Sequence, residues 1–371
     1  MKVLIAPDKF KGSLSAAKVG GAIREGILDA DPSVECTIVP LADGGEGTTE
    51  VLTRHAQGTI QRAVARDPLY RPIEAEYGLS HDGRTAFIEM ASASGLALLR
   101  AEERDPQQAS TIGTGDLIRH ALDRGVRNVC LGIGGSATND GGTGAMVALG
   151  VKFYDDSGNL LKGTGRELQE IARIDTSDIH PSMKDARFTI FCDVDNPLYG
   201  PRGAAFVFGP QKGATSATVS LLDDGLRHYE RLLQRIGYTN ILFPGAGAGG
   251  GMPVALAVFG CSVIRSGIEY IMEFVDLPQG IADADLVITG EGRLDDQTLS
   301  GKVVKGVAAL AYQGGKPVLA VAGSVSLKED DLRGLHIHET LSLVNAQTTT
   351  EVAIKNAESL IRARLAAYFK R

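Results

Sequence analysis

The stretch "IAPDKFKGSLSAAKVG", residues 5–20, sets an apolar run, a proline, an aspartate, two lysines and a serine-led amphipathic segment in direct succession. Residues 2–6 read as a buried strand, and residues from about 14 to 30 as a helix. Val19, Ala22, Ile23 and Ile27 recur there at helical spacing, with Ser13 available as N-cap. "SVECTIVPLADGGEGTTEVL", residues 33–52, repeats the formula of strand, acidic glycine turn and helix. A β-α-β-α order of this kind predicts a parallel sheet.

Further along, the texture changes. Residues 59–90 alternate short β-like runs with the turn signals Asp67-Pro68 and Asp82-Gly83, which predicts antiparallel hairpins. A helix over 114–124, the strand "NVCLGI" and a glycine loop follow, then a polar stretch (155–187) and the strand "RFTIFCDV". Near the end, "ADLVITGEGR", "KPVLAVAGSV" and "LHIHETLSLV" read as strands separated by helical segments around 300–312 and 350–368. The economical fold is α/β with two domains. Residues 1–57 and 265–371 share a doubly wound parallel sheet, and residues 58–264 form an inserted second α/β domain.

A chain of 371 residues suits two domains. Its net charge of −7 offers no basic face, so nucleic acid is not an expected partner. Cys36, Cys130, Cys192 and Cys261 form no C-x-x-C pair and read as buried free thiols. No run of about 18 apolar residues exists to span a membrane. Strand patterning from residue 2 leaves no room for a signal segment, so a cytoplasmic protein is expected.

Five loops follow predicted strands, where ligands bind in open parallel sheets. The first, residues 8–13, sets Asp8, Lys9 and Lys11 beside a helix start that favours anions. The second, "LADGGEGT", separates Asp43 from Glu46 by two glycines, a spacing suited to Mg²⁺ or to hydroxyl groups. The third, "GIGGSATNDGGTGA" (132–145), holds Gly134, Gly135, Ser136, Thr138, Asn139 and Asp140. It is too poor in large side chains to be held by packing, and its N–H groups and hydroxyls suit phosphate or sugar oxygens. The fourth carries Asp193, Asp195, Arg202 and Lys212; the fifth, "VITGEGRLDDQTLSGK", carries Glu291, Arg293, Asp295 and Lys302. Taken singly, each loop also reads as a solvated turn. Carboxylates alternating with cations are what phosphoryl transfer requires.

Other readings are weaker. No Walker A sequence occurs. Gly245–Gly250 and Gly132–Ala137 satisfy loose dinucleotide fingerprints, but Met252-Pro253 and Asn139-Asp140-Gly141-Gly142 follow where a helix should already have begun. An NAD(P)-dependent oxidoreductase of small hydroxy acids is therefore the lesser alternative, with a non-catalytic metabolite sensor as another. His336 and His338 read as edge-strand residues without a third metal ligand.

Taken as a set, "APDKFKGSLSA", "PLADGGEGT", "GGSATNDGG", "DVDNPLYGPRGA" and "TGEGRLDDQTLSGK" closely resemble the bacterial glycerate kinases of type 1, in order and over nearly the whole chain. The resemblance implies ATP-dependent phosphorylation of (R)-glycerate with Mg²⁺, chiefly to 2-phosphoglycerate and less to 3-phosphoglycerate. It also implies two α/β domains, one Rossmann-like, with the active site in the cleft between them. Under it, Lys9 and Lys11 neutralise phosphate or the glycerate carboxylate, while Asp8 orients a lysine or contacts the metal. Asp43 and Glu46 serve Mg²⁺ or substrate hydroxyls, and the loop from Gly134 to Asp140 wraps ligand oxygens. Asp193 or Asp295 is the general base, with Arg202, Lys212 and Arg293 as further anion contacts. The expected partners are glycerate and ATP, and homo-oligomerisation is compatible with the sequence.

Overall fold

The computed structural model describes residues 1–299 and 303–370. The chain divides into two compact units, Met1–Asp43 with Ile268–Arg371, and Gly44–Gly267. The expected boundary near residue 57 thus lies at Asp43. Helix Thr48–His55 belongs to the second unit, where the Thr49 N–H donates to Glu89 Oε1 at 2.8 Å.

The first unit is built on β1 (Lys2–Pro7), β2 (Glu35–Ile38), β11 (Leu286–Leu294), β12 (Val318–Val325) and β13 (Glu339–Ser342). They form a parallel sheet in the order β13-β12-β11-β1-β2. Strand order therefore reverses between β1 and β11, which makes their carboxyl ends a topological switch point. Val3, Ile5, Ile288, Leu319 and Val321 of the sheet pack with Val19, Ile23 and Ile27 of helix Ala16–Ala30 and with Ile361 and Leu365 of helix Ala357–Phe369. The apolar spacing thus marks the buried face of the first helix. Ser13 does not cap it: its hydroxyl donates to the Ile354 carbonyl at 2.6 Å, and Ser15 takes the cap position. His336 and His338 precede β13 and do not lie in it. His336 stacks on Tyr312, and His338 Nδ1 accepts the Val318 N–H.

The second unit carries β3 (Thr59–Arg66), β4 (Pro72–Leu79), β5 (Thr85–Glu89), β6 (Asn128–Gly132), β9 (Arg187–Phe191) and β10 (Cys261–Arg265), in the order β10-β9-β6-β5-β4-β3. β3, β4 and β5 pair antiparallel as expected, while β5, β6, β9 and β10 run parallel. A separate antiparallel pair joins β7 (Lys152–Tyr154) and β8 (Arg173–Asp175). The register places Glu89, Gly132, Phe191 and Arg265 in one row across the sheet, so the four loops that follow leave from one edge. Beneath lies a core including Ile88, Leu131, Phe188 and Ile190. The cysteines are free, but only Cys130 is fully buried and Cys261 is exposed. No helix among the described residues is long and apolar enough to cross a membrane.

Candidate active site

In the first unit the chemistry gathers at the switch point. β1 ends at Pro7, and the Asp8 N–H donates to the Gly290 carbonyl of β11 at 2.8 Å. A Cβ on Gly292 would lie 3.3 Å from the Lys11 nitrogen, so the lysine loop runs directly against the "GEGR" end of β11. Asp8 is buried and accepts the Lys9 N–H through Oδ1 at 2.7 Å. Lys9 Nζ stands between Asp8 (3.8 Å) and Asp43 (3.9 Å). Lys11 and Arg293 are exposed. The structure thus brings Asp8, Lys9, Lys11, Asp43, Glu291 and Arg293 to one sheet edge, with Asp295 in the turn that follows.

Glu291 has an internal task. It is buried and accepts the Thr298 hydroxyl at 2.6 Å, while the Asp295 N–H donates to Thr298 Oγ1 at 3.1 Å. These bonds close the turn after β11 and fix the backbone of Asp295. Lys302 lies outside the described residues.

In the second unit, three of the expected loops meet at the row of strand ends. A Cβ on Gly132 would stand 2.5 Å from the Gly44 carbonyl oxygen, and one on Gly44 would stand 3.0 Å from Phe191 Cβ and 3.1 Å from Gly267 Cα. The acidic glycine turn therefore lies across the ends of β6 and β9, with Glu46 exposed beside it. Asp193, two residues beyond β9, is exposed, and its Oδ1 accepts the Gly267 N–H at 3.2 Å. Arg202 is exposed and pairs with Asp195 at 3.1 Å.

The loop Gly134–Asp140 is held from inside. Its exposed residues are Gly134 and Gly135; from Ser136 onward it is buried. Asp140 is fully buried and accepts the Thr111 N–H (2.8 Å), the Thr111 hydroxyl (2.7 Å) and the Gly142 and Gly144 N–H groups (3.1 and 3.2 Å). Burial pushes its carboxyl pKa up, against the four hydrogen bonds that favour the anion. Lys212 is equally buried, and its Nζ donates to Ser136 Oγ (2.8 Å) and to the Thr138 carbonyl (2.7 Å). Ser136, Asp140 and Lys212, candidate ligand contacts in the sequence, hold the loop together through these hydrogen bonds.

Thr138 Oγ1 and both amide atoms of Asn139 are buried without a hydrogen-bond partner among the described residues.

The sequence reading missed Thr111, whose hydroxyl and N–H anchor Asp140 from 29 residues away. It also set aside Gly245–Gly250 as a chance fingerprint. The Gly141 N–H donates to the Gly250 carbonyl at 2.9 Å, and a Cβ on Gly250 would collide with Thr138 and Asn139. These glycines permit backbone-on-backbone packing against the third loop. Their density in the sequence was the available signal. A helix, Met252–Phe259, does begin directly after them with its proline in the first turn, where proline is tolerated. No strand precedes them, however, so the dinucleotide arrangement is not formed.

Among the described residues no three His, Cys, Asp or Glu side chains come together as a metal cage. Mg²⁺ needs none, since it keeps waters and is commonly held by one or two carboxylates together with substrate phosphates. Asp43, half-exposed in the first unit, and Glu46, exposed in the second, are each oxygen donors of that kind.

Residues 3–370 match the sequence profile of the Glycerate kinase family. The Escherichia coli K12 protein named glycerate 2-kinase is 44% identical over 361 residues, covering 96% of this chain and 94% of the relative. A Bacillus subtilis 168 glycerate kinase is 42% identical, covering 96% and 94% respectively. A crystal structure from Salmonella typhimurium LT2 ascribed to glycerate kinase 2 superposes with a TM-score of 0.89 at 44% identity, over 100% of this chain and 97% of its own. With a matching profile across its length and relatives of this similarity, the chain belongs to the glycerate kinase family.

Proposed function

We propose that this protein is an ATP-dependent glycerate kinase that phosphorylates the 2-hydroxyl of (R)-glycerate, acting as a soluble cytoplasmic enzyme. The observation that carries the reading is family membership over residues 3–370, with a relative named glycerate 2-kinase at 44% identity. The site geometry supports it, because the motif loops of each unit gather at the carboxyl ends of parallel strands.

In this reading Lys9, Lys11 and Arg293 offset phosphate or carboxylate charge in the first unit. Arg202 and the exposed Gly134–Gly135 backbone do so in the second. Asp43 in the first unit, or Glu46 in the second, would hold Mg²⁺, which offsets charge on the β- and γ-phosphate oxygens when bound. Asp193 is the general base. It is an exposed carboxylate at the end of β9, steadied by the Gly267 N–H and neighbouring the loops at that edge. A carboxylate so placed accepts the proton of the attacking hydroxyl as the new O–P bond forms and the bond from the γ-phosphorus to the leaving ADP oxygen breaks. The half-buried Asp295, fixed in its turn by Thr298, is the second candidate.

The test is ADP release from ATP with (R)-glycerate, coupled through enolase without phosphoglycerate mutase. Only 2-phosphoglycerate then gives phosphoenolpyruvate. Absence of glycerate-dependent ADP release refutes the activity. ADP release without phosphoenolpyruvate refutes the choice of hydroxyl.

A further inference from the structure

Lys212 is a fully buried ammonium with no carboxylate at ion-pair distance among the described residues. Burying an unpaired charge is costly, and two hydrogen bonds compensate only in part. Both bonds go to one loop, at Ser136 and Thr138, directly after the exposed turn of Gly134 and Gly135. The same loop carries the buried Thr138 hydroxyl and Asn139 amide, which have no hydrogen-bond partner among the described residues. We infer that Lys212 is a positioning residue: it clamps the loop Gly134–Asp140 and lends its positive charge to an anionic group of the substrates at the Gly134–Gly135 turn. The inference rests on the glycerate kinase reading for the identity of that group, a phosphate or a carboxylate.

A glycine-rich loop has few large side chains to pack it in place, so internal ties must fix its backbone; Lys212 ties it at Ser136 and Thr138, and Asp140 ties its end. A charge surrounded by protein acts through a lower effective dielectric than one in water, so it is felt by a neighbouring anion without contact. The charge of Asp140 favours the ammonium, against the larger effect of burial; Tyr229 packs on Gly141, and the backbone and Cβ of Arg104 pack on Gly213.

Burial pulls the Lys212 pKa down to about 8, so the charge is lost as pH rises through that value. Activity and stability then respond with opposite sign. Anion binding weakens above pH 8 as the charge disappears. The folded-state pKa lies below the ordinary lysine value, so charged Lys212 opposes folding below pH 8, and that cost fades as pH rises towards the ordinary value. A merely structural lysine would not weaken anion binding while this contribution to stability improves.

The experiment titrates the intact protein calorimetrically with inorganic pyrophosphate and, separately, with (R)-glycerate between pH 6.5 and 9.5, alongside turnover. For whichever anion uses the turn, affinity is expected to fall about tenfold between pH 7 and 9, as a group of pKa near 8 discharges. Lys212→Met is expected to bind that anion weakly with no such pH dependence. Ser136→Ala removes one acceptor of the ammonium and is expected to shift the fall to lower pH. If folded Lys212→Met keeps wild-type affinity or the same pH dependence, the inference is wrong. If Lys212→Met does not fold, an unshifted profile in Ser136→Ala overturns it instead, as does a wild-type profile flat for both anions. Pyrophosphate binding with the expected profile but no glycerate turnover defeats the kinase reading alone; turnover without the profile defeats this inference alone.

Discussion

Gly132 and Gly44 meet backbone to backbone: a methyl group on Gly132 would stand 2.5 Å from the Gly44 carbonyl oxygen. That contact seats the acidic glycine turn on the end of β6, and backbone cannot swing aside as a side-chain tip can. Gly132→Ala should therefore cost about 1–3 kcal/mol of stability through overpacking. It should also lower kcat by roughly tenfold to 100-fold, since small misplacements of catalytic groups are expensive. Urea unfolding and steady-state kinetics check both. A variant with native kcat shows that the Gly44 turn need not hold its position for turnover.

Asp193→Asn keeps the size and the acceptor for the Gly267 N–H while removing the basic oxygen. The expected result is a fall in kcat of at least about 100-fold with KM values and thermal midpoint little changed. Asp295→Asn, assayed beside it, decides between the two carboxylates. If Asp193→Asn turns over normally and Asp295→Asn does not, the base is Asp295.

Much of the fold was legible because its signals are local. The β-α-β repeat of residues 2–52 and the apolar spacing at Val19, Ile23 and Ile27 fix strand, turn and helix without reference to distant chain. The unit boundary at Asp43 was not legible, because helix Thr48–His55 is recruited by contacts such as Thr49 with Glu89, 40 residues on. For the site, loop positions were readable but side-chain directions were not. Asp140 and Lys212 look like exposed ligand groups in a glycine-rich sequence. What turns them inward is Thr111 in one case and Ser136 in the other, partners at separations that no spacing rule reaches.

Asp140→Ala tests the internal anchor. It leaves the Thr111 N–H and hydroxyl and the Gly142 and Gly144 N–H groups without their acceptor inside the protein. Each buried donor left unsatisfied costs about 1–3 kcal/mol, so a loss of roughly 3 kcal/mol or more is expected. The shift should appear in the denaturant midpoint at unchanged m-value. A loss under about 1 kcal/mol would show that water replaces the carboxylate and that Asp140 is not the anchor.

Asp43 separates the metal role from the substrate role. Its carboxylate stands 3.9 Å from Lys9 Nζ and closes the first unit's part of the chain before Gly44. If it helps to hold Mg²⁺, Asp43→Asn should raise the Mg²⁺ concentration for half-maximal turnover by at least roughly tenfold, because a neutral amide oxygen is a poorer ligand for a hard cation. Chelation should abolish turnover in both proteins, and added Mg²⁺ should restore it. The KM for (R)-glycerate at saturating Mg²⁺ should stay near the wild-type value. A rise in that KM with an unchanged Mg²⁺ requirement would mean that Asp43 holds the substrate hydroxyls, leaving Glu46 and the phosphates to carry the ion.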